Sequence, residues 1–205
     1  QEQWFRLSLW KTANEQINYR RFFTINSLIS LRMEESQVLE NSHTLIREMV
    51  ESGNFDGLRA DHVDGLLDPE AYMKALRELA GESYVVVEKI LEHDEDLPES
   101  WPVQGTTGYD FLGHVTALMC ERENGAAFSR IYSSFTGSRT PSDRLLADKR
   151  RLILERHLSG DLENLSRTLL DVAASDRQGR DITASGLKRA LSAFLVHLPV
   201  YRTYV

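Results

Sequence analysis

Gly57-Leu58-Arg59-Ala60-Asp61-His62-Val63-Asp64-Gly65 begins as a strand and ends in charge. With Phe55 and Asp56 before it, the chain as far as Val63 reads as a short strand. Side chains alternate along a strand, so Arg59 and Asp61 share one face, and Leu58 and Ala60 turn the other way, toward a helix layer. A cation and a carboxylate leaving the end of a buried strand together point to a site, because in parallel sheets sites form at the carboxyl ends of strands. Arg59 beside Asp61 favours the ionised carboxylate, and an ionised carboxylate in a cleft can act as a nucleophile.

Working outward, Tyr84-Val85-Val86-Val87-Glu88-Lys89-Ile90 is a second strand, continuously apolar before it reaches Glu88. A strand buried on both faces reads this way in a parallel sheet. Glu88 shares a face with Val86, and desolvation at the strand end suits it to give up a proton as a general acid. Asp61 and Glu88 presented by adjacent strands to one cleft would match a retaining glycosidase, which needs a nucleophile and an acid/base about 5–5.5 Å apart. Two other readings stand beside this one. Arg-x-Asp is a common tripeptide, and a charge that ends a strand also serves as the first solvated loop position or in a structural ion network. Asp61, His62, Asp64 and Asp68, with His93 and Asp94 beyond them, are metal-ligand types. Their spacing fits neither a calcium loop nor H-E-x-x-H, so no metal is expected and His62 is read as a partner of a sugar hydroxyl or a carboxylate.

The rest of the first half alternates. Arg21-Phe22-Phe23-Thr24-Ile25-Asn26 is β-rich, Glu35 to Ser52 is an amphipathic helix stopped at Gly53-Asn54, and Asp68-Pro69 opens a helix that Gly81 ends. Strand, helix, strand, helix, strand is the pattern of βαβ units. The second half reads as helix near 109–121, 125–135, 142–158, 161–175 and 183–198, with Ser142 and Thr183 as N-caps and leucine stripes for packing. The expected fold is α/β and helix-rich: a partial (β/α)8 barrel of about three parallel strands over residues 1–110, then an all-helical subdomain over 111–205. Trp101 through Tyr109, dense in Gly and Thr, could line a sugar site with aromatic faces, and Tyr19-Arg20-Arg21 is either the start of a buried strand or a subsite wall.

Composition removes several classes. With 41% hydrophobic and 27% charged residues the chain can bury a core. A net charge of −7 repels phosphate backbones, so nucleic acid is not an expected partner. The most apolar run, Ser192 to Tyr201, holds His197 and Pro199 and is too short for a membrane span. The N-terminal residues do not read as a signal peptide. The single cysteine, Cys120, lies in an apolar setting and is expected to be a buried, inert thiol. A cytoplasmic protein is expected.

At these residues the chain resembles the maltooligosyl trehalose synthase family of the α-amylase superfamily (glycoside hydrolase family 13). Gly57 to Leu66 resembles the segment that carries the superfamily's nucleophilic aspartate, and Val86-Val87-Glu88-Lys89-Ile90-Leu91 the segment with its acid/base glutamate. Asn18 to Asn26, Trp101 to Leu112 and Pro199 to Val205 resemble stretches typical of the synthases. The resemblance implies Asp61 as nucleophile and Glu88 as acid/base, with Arg59 orienting Asp61. It makes His62, Tyr19, Arg20, Lys89, Trp101 and Tyr109 candidates for binding a maltooligosaccharide, and it implies no metal or organic cofactor. The expected reaction moves the reducing-end α-1,4 bond to an α,α-1,1 bond; an α-glucan hydrolase or a non-catalytic helical module are the alternatives. Thr24 stands where the family usually has an acid and Gly113 where it usually has Asn. No segment matches the superfamily's third aspartate, and a whole barrel takes about 250 residues. The chain is therefore expected to be an internal piece, inactive by itself, whose flanks meet the rest of the parent barrel or a second copy.

Overall fold

The computed structural model describes residues 7–204. In chain order the elements are β1 (Arg21–Phe22), β2 (Ile25–Ile29), α1 (Ser36–Glu51), β3 (Gly57–Ala60), α2 (Pro69–Ala80), β4 (Tyr84–Val87), β5 (Gly105–Thr106), α3 (Tyr109–Leu118), α4 (Gly125–Thr136), α5 (Ser142–Arg156), α6 (Ser159–Ser175) and α7 (Ala184–His197). Short 3₁₀ turns lie at Trp10–Asn14, Val63–Gly65 and Arg122–Asn124. The described residues form two compact units: Leu31–Gly137 with Tyr204, and the residues up to Ser30 with Ser138–Thr203. That grouping keeps α3 and α4 with the sheet rather than with the helices that follow.

The first unit is built on a parallel sheet in the order β3-β4-β5. Gly57 opens β3 because nothing larger fits there: a Cβ would sit 2.7 Å from the Tyr84 carbonyl oxygen. Ala60, Val63, Met73, Leu76, Ala80, Val85, Val87 and Trp101 make the core between the sheet and α2. α2 is delimited as its sequence predicts. The Asp68 carboxylate accepts from the Ala71 N–H at 2.9 Å, Pro69 occupies the first turn, and Gly81 takes φ 54° at the end. Arg77 then ties the helix end to the sheet, donating to the carbonyls of Gly81 and Ser83 at 2.8 Å and to Pro102 at 2.9 Å. Between α1 and α2, His43 Nε2 and the Tyr72 hydroxyl are 2.8 Å apart, and burial holds the His43 imidazole below its ordinary pKa.

In the second unit α5, α6 and α7 pack on one another. Thr183 caps α7 as expected, accepting from the Gly186 N–H at 3.1 Å. Arg150 closes its other end, donating to the carbonyls of Val196 and Leu198 at 3.1 and 3.0 Å. No helix among the described residues is long and apolar enough to cross a membrane.

Four expectations change. The run Arg21–Asn26 is not a stave of the parallel sheet. Phe23 takes φ 48°, the chain reverses at Phe23-Thr24, and β1 pairs antiparallel with β2. The third parallel strand is instead Gly105–Thr106, a two-residue segment too short for periodicity to reveal. Ser142 is the first helical residue of α5, after Pro141, rather than its cap. Cys120 is exposed, because it follows α3, a helix without a buried residue, beside Leu118 and Met119 at 85% and 83% exposure.

The core makes one expectation measurable. Met73 is wholly buried, so Met73→Ala should lower unfolding stability by about 2–5 kcal/mol, whereas truncating an exposed residue should cost within about 0.5 kcal/mol. Urea unfolding of Met73→Ala and Leu146→Ala (52% exposed) checks the contrast.

Candidate active site

Backbone pairing builds the site. β3 and β4 run in register from Gly57 opposite Tyr84 to Ala60 opposite Val87. The Glu88 N–H donates to the Ala60 carbonyl at 2.8 Å, so the register carries one step past the strands and sets Asp61 beside Glu88. β5 extends the row, with Val87 opposite Thr106 and the Thr107 N–H donating to the Val87 carbonyl at 3.0 Å. Asp61, Glu88 and Thr107 thus leave three neighbouring strands at one level.

Arg59 joins the two carboxylates. Its Nη1 lies 2.5 Å from Asp61 Oδ1 and its Nη2 3.4 Å from Glu88 Oε1. One planar guanidinium holds both acids, which keeps them within its own span. Glu88 Oε2 also accepts from the His62 N–H at 3.0 Å. Its surroundings are therefore more polar than the apolar strand before it suggests. The Asp61 side chain is 55% exposed and that of Glu88 24%, so the nucleophile candidate is open and the acid/base candidate recessed.

His62 reaches this position through a left-handed backbone, φ 47° and ψ 46°, which costs a non-glycine residue energy and concentrates at functional turns. Gly65 makes room for it. A Cβ there would lie 2.7 Å from the His62 ring, and the Gly65 N–H closes the turn on the His62 carbonyl at 2.9 Å.

The remaining expected residues separate. Tyr109, 43% exposed, begins α3 just after Gly108 at φ 90°. Tyr19 and Arg20 belong to the other unit, where the Tyr19 hydroxyl donates to the Asn26 carbonyl at 2.9 Å. Lys89 and Trp101 do not face outward to meet a sugar. They are buried at 2% and 5% exposure. The Trp101 ring packs edge-on against Tyr204, with centroids 6.1 Å apart. The Lys89 ammonium lies 2.8 Å from Glu95 Oε1 and 3.5 Å from Asp64 Oδ2, and the Tyr204 hydroxyl donates to Asp64 Oδ1. Asp64, Glu95, Tyr204 and Thr107 escaped the sequence reading as site residues. The buried Thr107 hydroxyl has no hydrogen-bond partner among the described residues. Three of these four had a signal: Asp64 lies in the Asp61–Gly65 stretch, Thr107 in the Trp101–Tyr109 loop and Tyr204 in the Pro199–Val205 stretch. Among the described residues no three His, Cys, Asp or Glu side chains gather as metal ligands.

An arginine that links two carboxylates at the carboxyl ends of parallel strands places a candidate nucleophile beside a candidate acid/base. Comparison with known proteins narrows the class. A Mycobacterium tuberculosis protein assigned as a maltooligosyl trehalose synthase is 34% identical over 201 residues, 98% of this chain and 25% of its own length. The Arthrobacter ramosus maltooligosyltrehalose synthase structure aligns over 96% of this chain and 24% of that one, with TM-score 0.84 and 33% identity. A glycosyltrehalose synthase, DSM5389, aligns over 92% of this chain and 23% of its own, with TM-score 0.78 and 36% identity. The resemblance read at Asp61 and Glu88 is thus found along nearly the whole chain, which spans about a quarter of the length of the curated relatives it matches. No family model matches the chain.

The buried ion network has a measurable pH signature. Burial alone would lower the Lys89 pKa, but Glu95, Asp64 and Tyr204 outweigh it and hold the ammonium above the ordinary lysine value. Burial and the hydrogen bond to Asp64 push the Tyr204 phenol up to about 12. Both groups keep their protons longer in the folded state. Their stabilisation is full below about pH 10 and is lost as pH rises through the folded values. Tyr204→Phe should therefore lose stability less steeply than the parent between about pH 10 and 12, as read by urea midpoints across that window.

Proposed function

We propose that this chain is a catalytic segment of an enzyme that converts the reducing-end α-1,4 bond of a maltooligosaccharide into an α,α-1,1 bond by intramolecular transglucosylation. The observation that carries the reading is Arg59 bridging Asp61 and Glu88 at the ends of adjacent parallel strands. β3, β4 and β5 are read as neighbouring staves of a (β/α)8 barrel of the α-amylase type, whose sites lie at this end.

Asp61 attacks the anomeric carbon of the penultimate glucose. The bond from that carbon to O4 breaks, and the departing O4 takes a proton from Glu88. Negative charge thereby passes from Asp61, now esterified, to Glu88, now ionised. Arg59 touches both, so it compensates the charge before and after the step. The released glucose stays and turns, and Glu88 removes the proton from its anomeric hydroxyl. That oxygen attacks the glycosyl ester, and the electron pair of the broken bond returns to Asp61. Two inversions preserve the α configuration. Water must be kept out, since it would intercept the ester.

His62, Tyr109, Tyr19 and Arg20 are kept as candidates for sugar contacts; the reaction calls for no metal or organic cofactor. Phe111, Phe128 and Phe135 stand 70%, 70% and 91% exposed on α3 and α4, a surface suited to the remainder of a longer barrel.

The test uses the full-length protein that contains this chain, with maltopentaose. Reducing ends should disappear without matching release of glucose; stoichiometric glucose would make it a hydrolase. Glu88→Gln should lower kcat by about 10²–10⁴-fold. Asp61→Ala should remove turnover, and unchanged turnover would leave the chain a non-catalytic helical module. The 205-residue chain alone should be inactive, with two carboxylates on a three-stranded parallel sheet; any measurable turnover refutes this.

A further inference from the structure

We propose that Lys89 is a positioning residue of the two-carboxylate site: held between Asp64 and Glu95, it locks the turn after β3 to the segment after β4 and so sets Asp61 against Glu88. This rests on the transglucosylation reading above and assigns Lys89 a role other than sugar binding.

The geometry starts at the strand end. Neighbouring residues on an extended chain point to opposite sides, so Glu88 turns toward Arg59 and His62 while Lys89 turns back toward the core. β4 stops here, with the Lys89 N–H bonding to the Val87 carbonyl at 3.0 Å. The ladder to β3 ends with the Glu88 N–H bond to the Ala60 carbonyl, and the chain beyond it is held by side chains. Lys89 supplies one such hold by reaching Asp64 at 3.5 Å, in the Val63–Gly65 turn that directly follows Asp61 and His62. It reaches Glu95 at 2.8 Å on its own connection. Tyr204 completes the clamp. Its hydroxyl donates to Asp64, its ring faces the ammonium at 5.7 Å, and Trp101 packs edge-on against it.

A lysine is a poor choice for mere filling. It is among the residues least often buried, and an ion pair inside a protein is often no more stabilising than apolar side chains of the same volume. What the pair adds is direction, since it permits one arrangement of the two connecting segments. Asp61 and Glu88 must match reacting atoms to within a fraction of an ångström, and a misplacement of about 1 Å can cost about 10²-fold in rate. The left-handed turn at His62 needs such a restraint, because the strain there would otherwise relax.

The experiment measures kcat, KM and the ratio of free glucose to rearranged product for Lys89→Met, Lys89→Arg, Asp64→Asn and Asp61→Ala in the full-length protein. Lys89→Met should lower kcat by about 10²-fold with KM changed less than about threefold, and should release more glucose as the ester meets water. Lys89→Arg should recover most of kcat. Asp64→Asn, which keeps shape and volume, should lower kcat in the same direction and serves where Lys89→Met does not fold. Unchanged kcat in Lys89→Met or Asp64→Asn overturns the proposal, as does a rise in KM alone, the mark of a direct sugar ligand. A dead Asp61→Ala beside an unaffected Lys89→Met sinks the positioning role alone; a fully active Asp61→Ala sinks the transglucosylation reading and the positioning role with it.

Discussion

The parallel pairing of β3 with β4 runs in register to Ala60 opposite Val87, and the next hydrogen bond, from the Glu88 N–H to the Ala60 carbonyl, carries it past the strand ends. A slip of one residue would turn every side chain beyond it to the other face. Asp61 would then meet the core while Glu88 kept its face, and the two acids would no longer stand together. Burial guards the register. Ala60, Val85 and Val87 lie against α2, and exchanging them for Arg59 and Val86 would drive a guanidinium into the apolar layer. The core therefore does more than stabilise. It determines which carboxylates stand together.

That pairing creates a repulsion. Two carboxylates that leave adjacent strands at one level repel each other when both are ionised. Arg59 answers it, with one arm on each acid. At 50% side-chain exposure it adds little to stability, because exposed ion pairs contribute about 0–1 kcal/mol. Its value is geometric and chemical: a planar fork fixes two acceptors at once, and it stays charged whichever acid holds the proton.

How far the site could be read from sequence depends on how local each signal is. Asp61, Glu88 and Arg59 were legible because alternation along a strand is a rule of neighbours, and α2 because its caps, Asp68 and Gly81, lie within it. The hairpin at Phe23-Thr24 was not, since a bulky residue at positive φ carries no turn signature. β5 was missed for its length, two residues whose partners Val86 and Val87 lie far back in the chain. Trp101 was placed at the sugar because aromatic faces stack on sugar rings, and Lys89 because the family resemblance implied it. Their burial depends on Tyr204, which comes back to the sheet only after α5, α6 and α7 have been made elsewhere. Contacts over such separations leave no periodic trace.

The two sides of the strand ends then divide the work. On one side lie the two acids that the proposed reaction would use, Asp61 and Glu88, with Arg59 on both. Toward the core lie Lys89 and Asp64, whose side chains are 3% and 10% exposed. The Lys89 side chain is bonded to Glu95 and faces Asp64, and these partners hold its ammonium above the ordinary lysine value. A single backbone step separates that buried charge network from the Arg59-linked pair, so in the proposed reaction charge would pass between Asp61 and Glu88 without involving the turn beside them. The cost is a strained His62 and a glycine at 65 that accepts no side chain. Those two constraints are local consequences of bringing a charged turn to the end of a buried strand.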